Sequence, residues 1–256
     1  MKIGELLFPP KCVGCRRLLD WHQIDKGAFC ADCQKLWESE ALEACEHCGK
    51  PVKECRCVTS AMERARCSAF CKRVYYRHGM QMPVQNRLIF AIKRSRTPRL
   101  FEFCAKALSE EVKRMMEEEA PDADSVIVCH VPRRRAAYLE YGSDQAKLLA
   151  RALARELSLP YTSLLHRKNR PFTPAQKFLS VKERIRAANT AYVCKKGMEI
   201  KGKTVLLVDD IVTTGATMAA CTRVLRRAGA KKVLCVCVAS DDYNRSDDQK
   251  KTALLR

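Results

Sequence analysis

No run in this chain approaches the roughly 18 consecutive apolar residues that a membrane-spanning helix requires. The opening residues, Met1 to Pro10, hold too short an apolar stretch for a signal peptide. A cytoplasmic protein is therefore expected. Acidic residues are scarce beside basic ones: 29 Asp and Glu stand against 48 Lys and Arg, a formal net charge of +19 over 256 residues. Between Lys72 and Arg99 there is no acid at all. Such an excess suits an anionic partner, whether nucleotide, nucleic acid or acidic protein, although it also describes a solvated basic surface. The 47% hydrophobic content is ordinary for a globular protein, and the length allows one good core with an appendage, or two domains.

Cysteine, by contrast, is plentiful. In a reducing compartment the 16 cysteines have no role as disulfides. Eight of them form four close pairs near the N-terminus: Cys12 and Cys15, Cys30 and Cys33, Cys45 and Cys48, Cys55 and Cys57. A Cys-x-x-Cys knuckle lets two thiolates reach one ion, and two knuckles complete a tetrahedral zinc site. A redox Cys-x-x-Cys would need a thioredoxin-like βαβ setting, which is missing. The simplest reading is two successive structural zinc sites, first knuckle with second and third with fourth. A crossed pairing satisfies the same spacings. The head is too short to bury its own core, so metal would supply its folding energy, on the order of 10 kcal/mol per site. Cys67 and Cys71, one helical turn apart, read as buried thiols or as a further pair.

The acid-free stretch contains Lys72, Arg73, Arg77, Arg87, Lys93, Arg94, Arg96 and Arg99, interleaved with Tyr75, Tyr76 and Phe90, with Phe101 just beyond. It could track a phosphate backbone while aromatics stack bases, with Lys93, Arg94, Arg96 and Arg99 as the nucleic-acid contacts. It could equally be a connector whose aromatics pack inward. An amphipathic helix is expected over 100–119.

From Ser125 the pattern changes to short apolar strands alternating with helices. Strands are expected over 125–131, 203–208 and 232–238, and helices over 145–158 and 215–228, with short apolar runs near 161–165 and 191–194. Such alternation implies a parallel sheet covered on both faces, with ligands at the strands' carboxyl ends. Two features fall there: the basic run Arg133, Arg134 and Arg135, and the pair Asp209 and Asp210. The acids can accept hydrogen bonds from vicinal sugar hydroxyls or hold Mg2+ through water. The following Thr213, Thr214, Gly215, Ala216 and Thr217 open a helix, whose free N–H groups and dipole favour a phosphate. Acids and threonine loop together suit a ribose 5-phosphate. Residues 197–204 match the P-loop expression letter for letter, but they precede a strand instead of joining a strand to a helix, so the match is a decoy.

Val205 to Thr217 resembles the signature of type I phosphoribosyltransferases, which bind phosphoribosyl pyrophosphate (PRPP). With the cysteine head, the chain resembles the ComF family over nearly everything from Leu6 to about Ser240. Gly142 and Gln145 match two positions of a family stretch that departs here at Tyr141, Ser143 and Asp144. Thr173, Gln176 and Arg184 resemble the family's mobile loop, although an expected asparagine is Ala187, with Asn189 displaced by two. The resemblance implies an α/β, parallel-sheet type I phosphoribosyltransferase fold behind a small N-terminal four-cysteine zinc-ribbon domain. The expected layout is a double zinc ribbon over 1–60, a basic connector over 61–99, the phosphoribosyltransferase-like domain over 100–240 and a tail over 241–256. It implies PRPP with Mg2+ held by Asp209, Asp210, Thr213 to Thr217, Arg133 and Arg134. It also implies a role in natural transformation, beside single-stranded DNA, a DNA-uptake helicase and recombination factors. The alternative is an active Mg2+-dependent phosphoribosyltransferase in which Asp209 and Asp210 position the ribose for attack by a nitrogen nucleophile.

Overall fold

The computed structural model describes residues 10–20, 27–78, 82–94, 97–121, 125–133, 142–168, 191–195 and 197–241. In chain order the elements are α1 (Ala31–Ala41), α2 (Ser60–Glu63), β1 (Ala69–Tyr76), α3 (Val84–Arg94), α4 (Pro98–Glu119), β2 (Val126–His130), α5 (Gln145–Glu156), β3 (Leu165–Arg167), β4 (Tyr192–Cys194), β5 (Thr204–Val212), α6 (Ala216–Arg227) and β6 (Lys232–Asp241). Four strands form one sheet in the order β1-β6-β5-β2, with every pairing parallel. β3 and β4 form a separate antiparallel pair.

The near-continuous apolar runs of β5 and β6 follow from burial on both faces. Leu206 and Val208 point into one core, with Leu108 and Val112 of α4 and Leu149 and Leu153 of α5. Val205 and Leu207 point into the other, with Met218, Ala219 and Leu225 of α6 and with Leu165 and Tyr192 of the small hairpin. Helical spacing of apolar residues over α4, α5 and α6 is what makes each of them amphipathic, and the observed helices match the expected ones to within a few residues.

Two strands run further than expected. β5 continues through Asp209 to Val212 because Asp209, Ile211 and Val212 still pair with Cys237, Ala239 and Ser240 of β6. The ladder hydrogen bonds outlast the apolar run, so the acids are strand residues and not loop residues.

The stretch 61–99, expected as a connector, supplies α2, β1 and α3. β1 is an edge strand of the main sheet, aligned with β6 from Ala69 opposite Leu234 to Tyr76 opposite Asp241. Cys71 lies in β1 and Cys67 two residues before the strand, so the two are not on one helix, and both thiols are buried, in opposite cores. Tyr75 and Phe101 are buried too, which leaves Phe90 as the exposed aromatic of the group. Lys72 and Arg73 point to opposite faces of β1 and both are buried. Lys72 reaches Cys55, and Arg73 pairs with Glu38 of α1. Arg77, just past the strand, pairs with Glu40 and Glu43. The cysteine-rich head is thus tied to this edge strand through the side chains of Lys72, Arg73 and Arg77.

Head and body share one core. Trp37 of α1 is fully buried, with its ring 5.8 Å from that of Phe29 and 6.1 Å from that of Phe103 on α4. Trp37→Ala is expected to destabilise the whole chain by about 3–5 kcal/mol in a single urea transition. A loss below about 1 kcal/mol would show that the head does not depend on this contact.

Candidate functional site

The carboxyl ends of β2 and β5 lie side by side, with His130 opposite Val208. This alignment brings Arg133, just past β2, to the acids of β5: its guanidinium lies 3.4 Å from Asp210 Oδ2. Asp209 Oδ1 accepts from the Asp210 amide at 2.9 Å, and Asp210 Oδ1 accepts from the Ile211 amide at 2.9 Å. These bonds fix both carboxylates against the strand. Burial, followed by the charge of Asp210, nevertheless pushes the Asp209 carboxyl well above the usual carboxylate range. Two crowded acids of this kind are relieved by a bound cation or by donors from a polyol, so the pair fits Mg2+ and sugar hydroxyls alike.

Three residues beyond β5 the chain turns into α6. Gly215 caps that helix at φ +71°, where a side chain is strained. A Cβ there would lie 2.3 Å from Thr59 Oγ1 and 3.1 Å from Met62 Cγ and Sδ. The N-terminus of α6 therefore rests directly on α2, the short helix that follows the cysteine head. Thr213 and Thr214 are exposed while Gly215 is buried beneath them. The hairpin closes the other side. The Tyr192 hydroxyl bonds to Thr217 and accepts from Arg167 at 2.8 Å, and burial pushes its phenol up to about 12. On the far flank, buried His130 bonds to Tyr161 at 2.9 Å and lies 3.8 Å from Asp144, which caps α5 through the Lys147 amide. Burial lowers the His130 pKa despite the neighbouring acid, so a neutral imidazole holds this flank at neutral pH.

Arg134, Gln176 and Arg184 lie outside the described residues, as do Arg135 and Arg96. Asp209, Asp210, Thr213 to Thr217 and Arg133 do converge. Thr59, Met62, Arg167 and Tyr192 join them without any pattern in the sequence beyond the Thr59 cap of α2. The P-loop letters at 197–204 form turns that lead into β5, with no helix following, as their position implied.

In the head, Cys12, Cys15, Cys30 and Cys33 gather in one group and Cys45, Cys48, Cys55 and Cys57 in another, with the sulfurs of each group within 4.8 Å of one another. This settles the pairing as sequential. Each group holds one acidified thiol. Cys15 falls to about 6, chiefly because the Arg17 amide donates to it. Cys45 falls to about 6 against the effect of burial, through the Tyr75 hydroxyl and the Cys48 and His47 amides. Burial, then neighbouring thiols, push Cys33 and Cys57 up. Four thiolates in such a space need a dication, and this donor set fits Zn2+ with no open position. The second group also receives Lys72 Nζ, 3.1 Å from Cys55 Sγ, a cation suited to the surplus negative charge of a four-thiolate site.

Between the first group and α3 runs a groove of about 630 Å3 lined by Lys11, Arg16, Arg87, Phe90 and Arg94, among others, and by no acid among the described residues. Arg87 spends one donor on the Gly14 carbonyl. Lys93 lies 6.0 Å from the exposed Phe90 ring, and Arg99 lines a separate cleft that includes Glu102.

The phosphoribosyl transferase domain family matches residues 144–254. Competence protein F of Haemophilus influenzae is 25% identical over 233 residues, covering 88% of this chain and 95% of that protein. DNA utilization protein YhgH of Escherichia coli K12 is 30% identical over 160 residues, 60% of this chain and 67% of that protein. Competence protein ComFC of Streptococcus pneumoniae is 28% identical over 222 residues, 82% and 86%.

Metal analysis of the purified chain is expected to find about two zinc ions, and fewer than one contradicts the four-thiol reading. A second expectation concerns Asp209. Because its folded pKa is raised, its ionisation opposes folding at pH 7, and protonation relieves this as pH falls through that pKa. Asp209→Asn should raise the thermal midpoint by a few degrees at pH 7, with the gain vanishing below the unfolded carboxylate range. A lowered midpoint at pH 7 would contradict the crowding described.

Proposed function

Since the chain belongs to the ComF family, a zinc ribbon joined to a phosphoribosyltransferase-like domain, we propose that it binds PRPP at the end of β5 and handles single-stranded DNA during DNA uptake. The observation that carries the PRPP reading is the meeting of Asp209 and Asp210 with the Gly215-capped start of α6, one strand from Arg133. The ribose hydroxyls would donate to the two carboxylates. The 5-phosphate would take the N–H groups and hydroxyls of Thr213 to Thr217. Arg133 would face the pyrophosphate, with Mg2+ sharing its charge. Bound Mg2+ would supply electrostatic stabilisation of the departing pyrophosphate in any transfer reaction.

Support for DNA comes from relatives named for competence and DNA utilization and from the groove beside the first four-thiol group, which is basic among the described residues. Lys11, Arg16 and Arg94 can follow phosphates while Phe90 offers a stacking face. This reading moves the centre of the contact from the sequence stretch 93–99 to a groove half made by the zinc ribbon. No described residue near Asp209 forms a recognisable base pocket, so PRPP serves as a bound ligand in this reading.

Titration calorimetry with PRPP and Mg2+ should give saturable binding that Asp210→Asn weakens at least about tenfold, the scale of a lost charged hydrogen bond. A fluorescent oligonucleotide should bind with strong salt sensitivity, and Arg16→Glu with Arg94→Glu should weaken it about tenfold or more. Absence of oligonucleotide binding at low salt would defeat the DNA reading. Base-dependent pyrophosphate release, lost in Asp210→Asn, would replace the ligand reading by that of an active transferase.

A further inference from the structure

The last two ligands of the second four-thiol group, Cys55 and Cys57, are followed almost at once by Thr59. The two residue steps from Cys57 to Thr59 span at most about 7 Å, so the metal site fixes where Thr59 sits. Thr59 is buried and its hydroxyl both accepts and donates. It accepts from the Met62 amide at 3.3 Å, which starts α2, and donates to the Thr214 carbonyl at 3.4 Å. Its oxygen, with the Met62 side chain, occupies the space where a Cβ of Gly215 would be. The floor of the threonine loop is thus built from the segment leaving the metal site.

A second link runs through the sheet. The same metal group is held to β1 by Lys72, which touches Cys55 Sγ at 3.1 Å and the Cys57 carbonyl at 3.5 Å. Arg56, between the two ligands, is anchored to Glu111 of α4. Lys72 aligns with Cys237 of β6, and Cys237 aligns with Asp209 of β5. One row across the sheet therefore joins the metal group to the ribose acid. No such row or floor ties the first group to the loop among the described residues. It packs instead against α3 and the opposite core.

We propose that the second four-thiol site is a positioning element for the phosphate loop. Metal bound by Cys45, Cys48, Cys55 and Cys57 sets Thr59, Thr59 sets Thr214 and Gly215, and occupancy of the two sites is energetically coupled. By reciprocity, a ligand in the loop also tightens the metal. Thr59 acts as a positioning residue and touches no ligand. This inference rests on the ribose-phosphate reading only for its ligand arm. Its conformational arm needs no ligand.

The test is amide hydrogen exchange over 209–218, with PRPP and Mg2+ calorimetry, on the full chain. Thr59→Val removes the hydroxyl at nearly constant volume, and Thr59→Ser keeps it. Cys48→Ala takes an exposed ligand from the second four-thiol site, and Cys15→Ala takes a half-buried one from the first. Zinc content of the Thr59 variants reports that the head remains folded. Expected are faster exchange over 213–217 and about three- to tenfold weaker PRPP binding in Thr59→Val, with Thr59→Ser restoring both. Cys48→Ala should disturb the loop more than Cys15→Ala does. Wild-type exchange over 213–217 in both Thr59→Val and Cys48→Ala overturns the inference. If the wild type binds no PRPP, the ligand reading fails, and the exchange arm alone still decides the coupling.

Discussion

Burial of β5 between β2 and β6 is the constraint on which the rest of the molecule depends. From Thr204 to Val208 the strand is closed in on both faces, and no unpaired polar side chain is tolerated there. Polarity first becomes affordable where the sheet opens, and the strand then places two carboxylates in succession. The same register that buries Val208 beside His130 delivers Arg133 to Asp210. Because α6 must begin within three residues to cover Val205 and Leu207, its N-terminus lands beside those acids. Two carboxylates, a guanidinium and a helix N-terminus therefore meet through sheet packing, without a dedicated scaffold.

The head solves a different problem with different chemistry. Its residues cannot enclose a core alone, so two four-thiol groups take the place of one, and Phe29 and Trp37 borrow Phe103 from α4. The acidic side chains of α1 and the following turn neutralise Arg73 and Arg77, which the sequence presents as part of an uninterrupted basic run. That pairing takes two cations out of the basic stretch. It leaves the basic, aromatic-bearing groove by the first four-thiol group as the stronger cationic surface. The partners of Lys72, Arg73 and Arg77 and the floor of the threonine loop all come from the cysteine-rich head and the segment that leaves it.

Much of this was legible in the residues. The cysteine spacings, the strand-acid-threonine-helix succession at 204–227 and the false P-loop at 197–204 each follow from local rules, and the parallel sheet follows from their alternation. β1 was not legible, because Lys72, Arg73, Tyr75 and Tyr76 lack the apolar signature of a buried strand. The polar ends of Lys72, Arg73 and Tyr75 meet Cys55, Glu38 and Cys45, partners far away in sequence that no periodicity reveals. Thr59 was hidden for the same reason: a short helix cap looks ordinary until Gly215 is found against it. The acids were expected to cap the strand at its carboxyl end because apolar patterning ends at Val208, whereas the backbone ladder carries the strand on to Val212.

The most direct measurement is a crystal structure of the chain with PRPP and Mg2+. The account predicts the 5-phosphate on the amides at the start of α6, between Thr213 and Thr217. It predicts the ribose hydroxyls on Asp209 and Asp210, and the pyrophosphate toward Arg133. A ligand seated elsewhere, or a ribose turned away from both carboxylates, would contradict it.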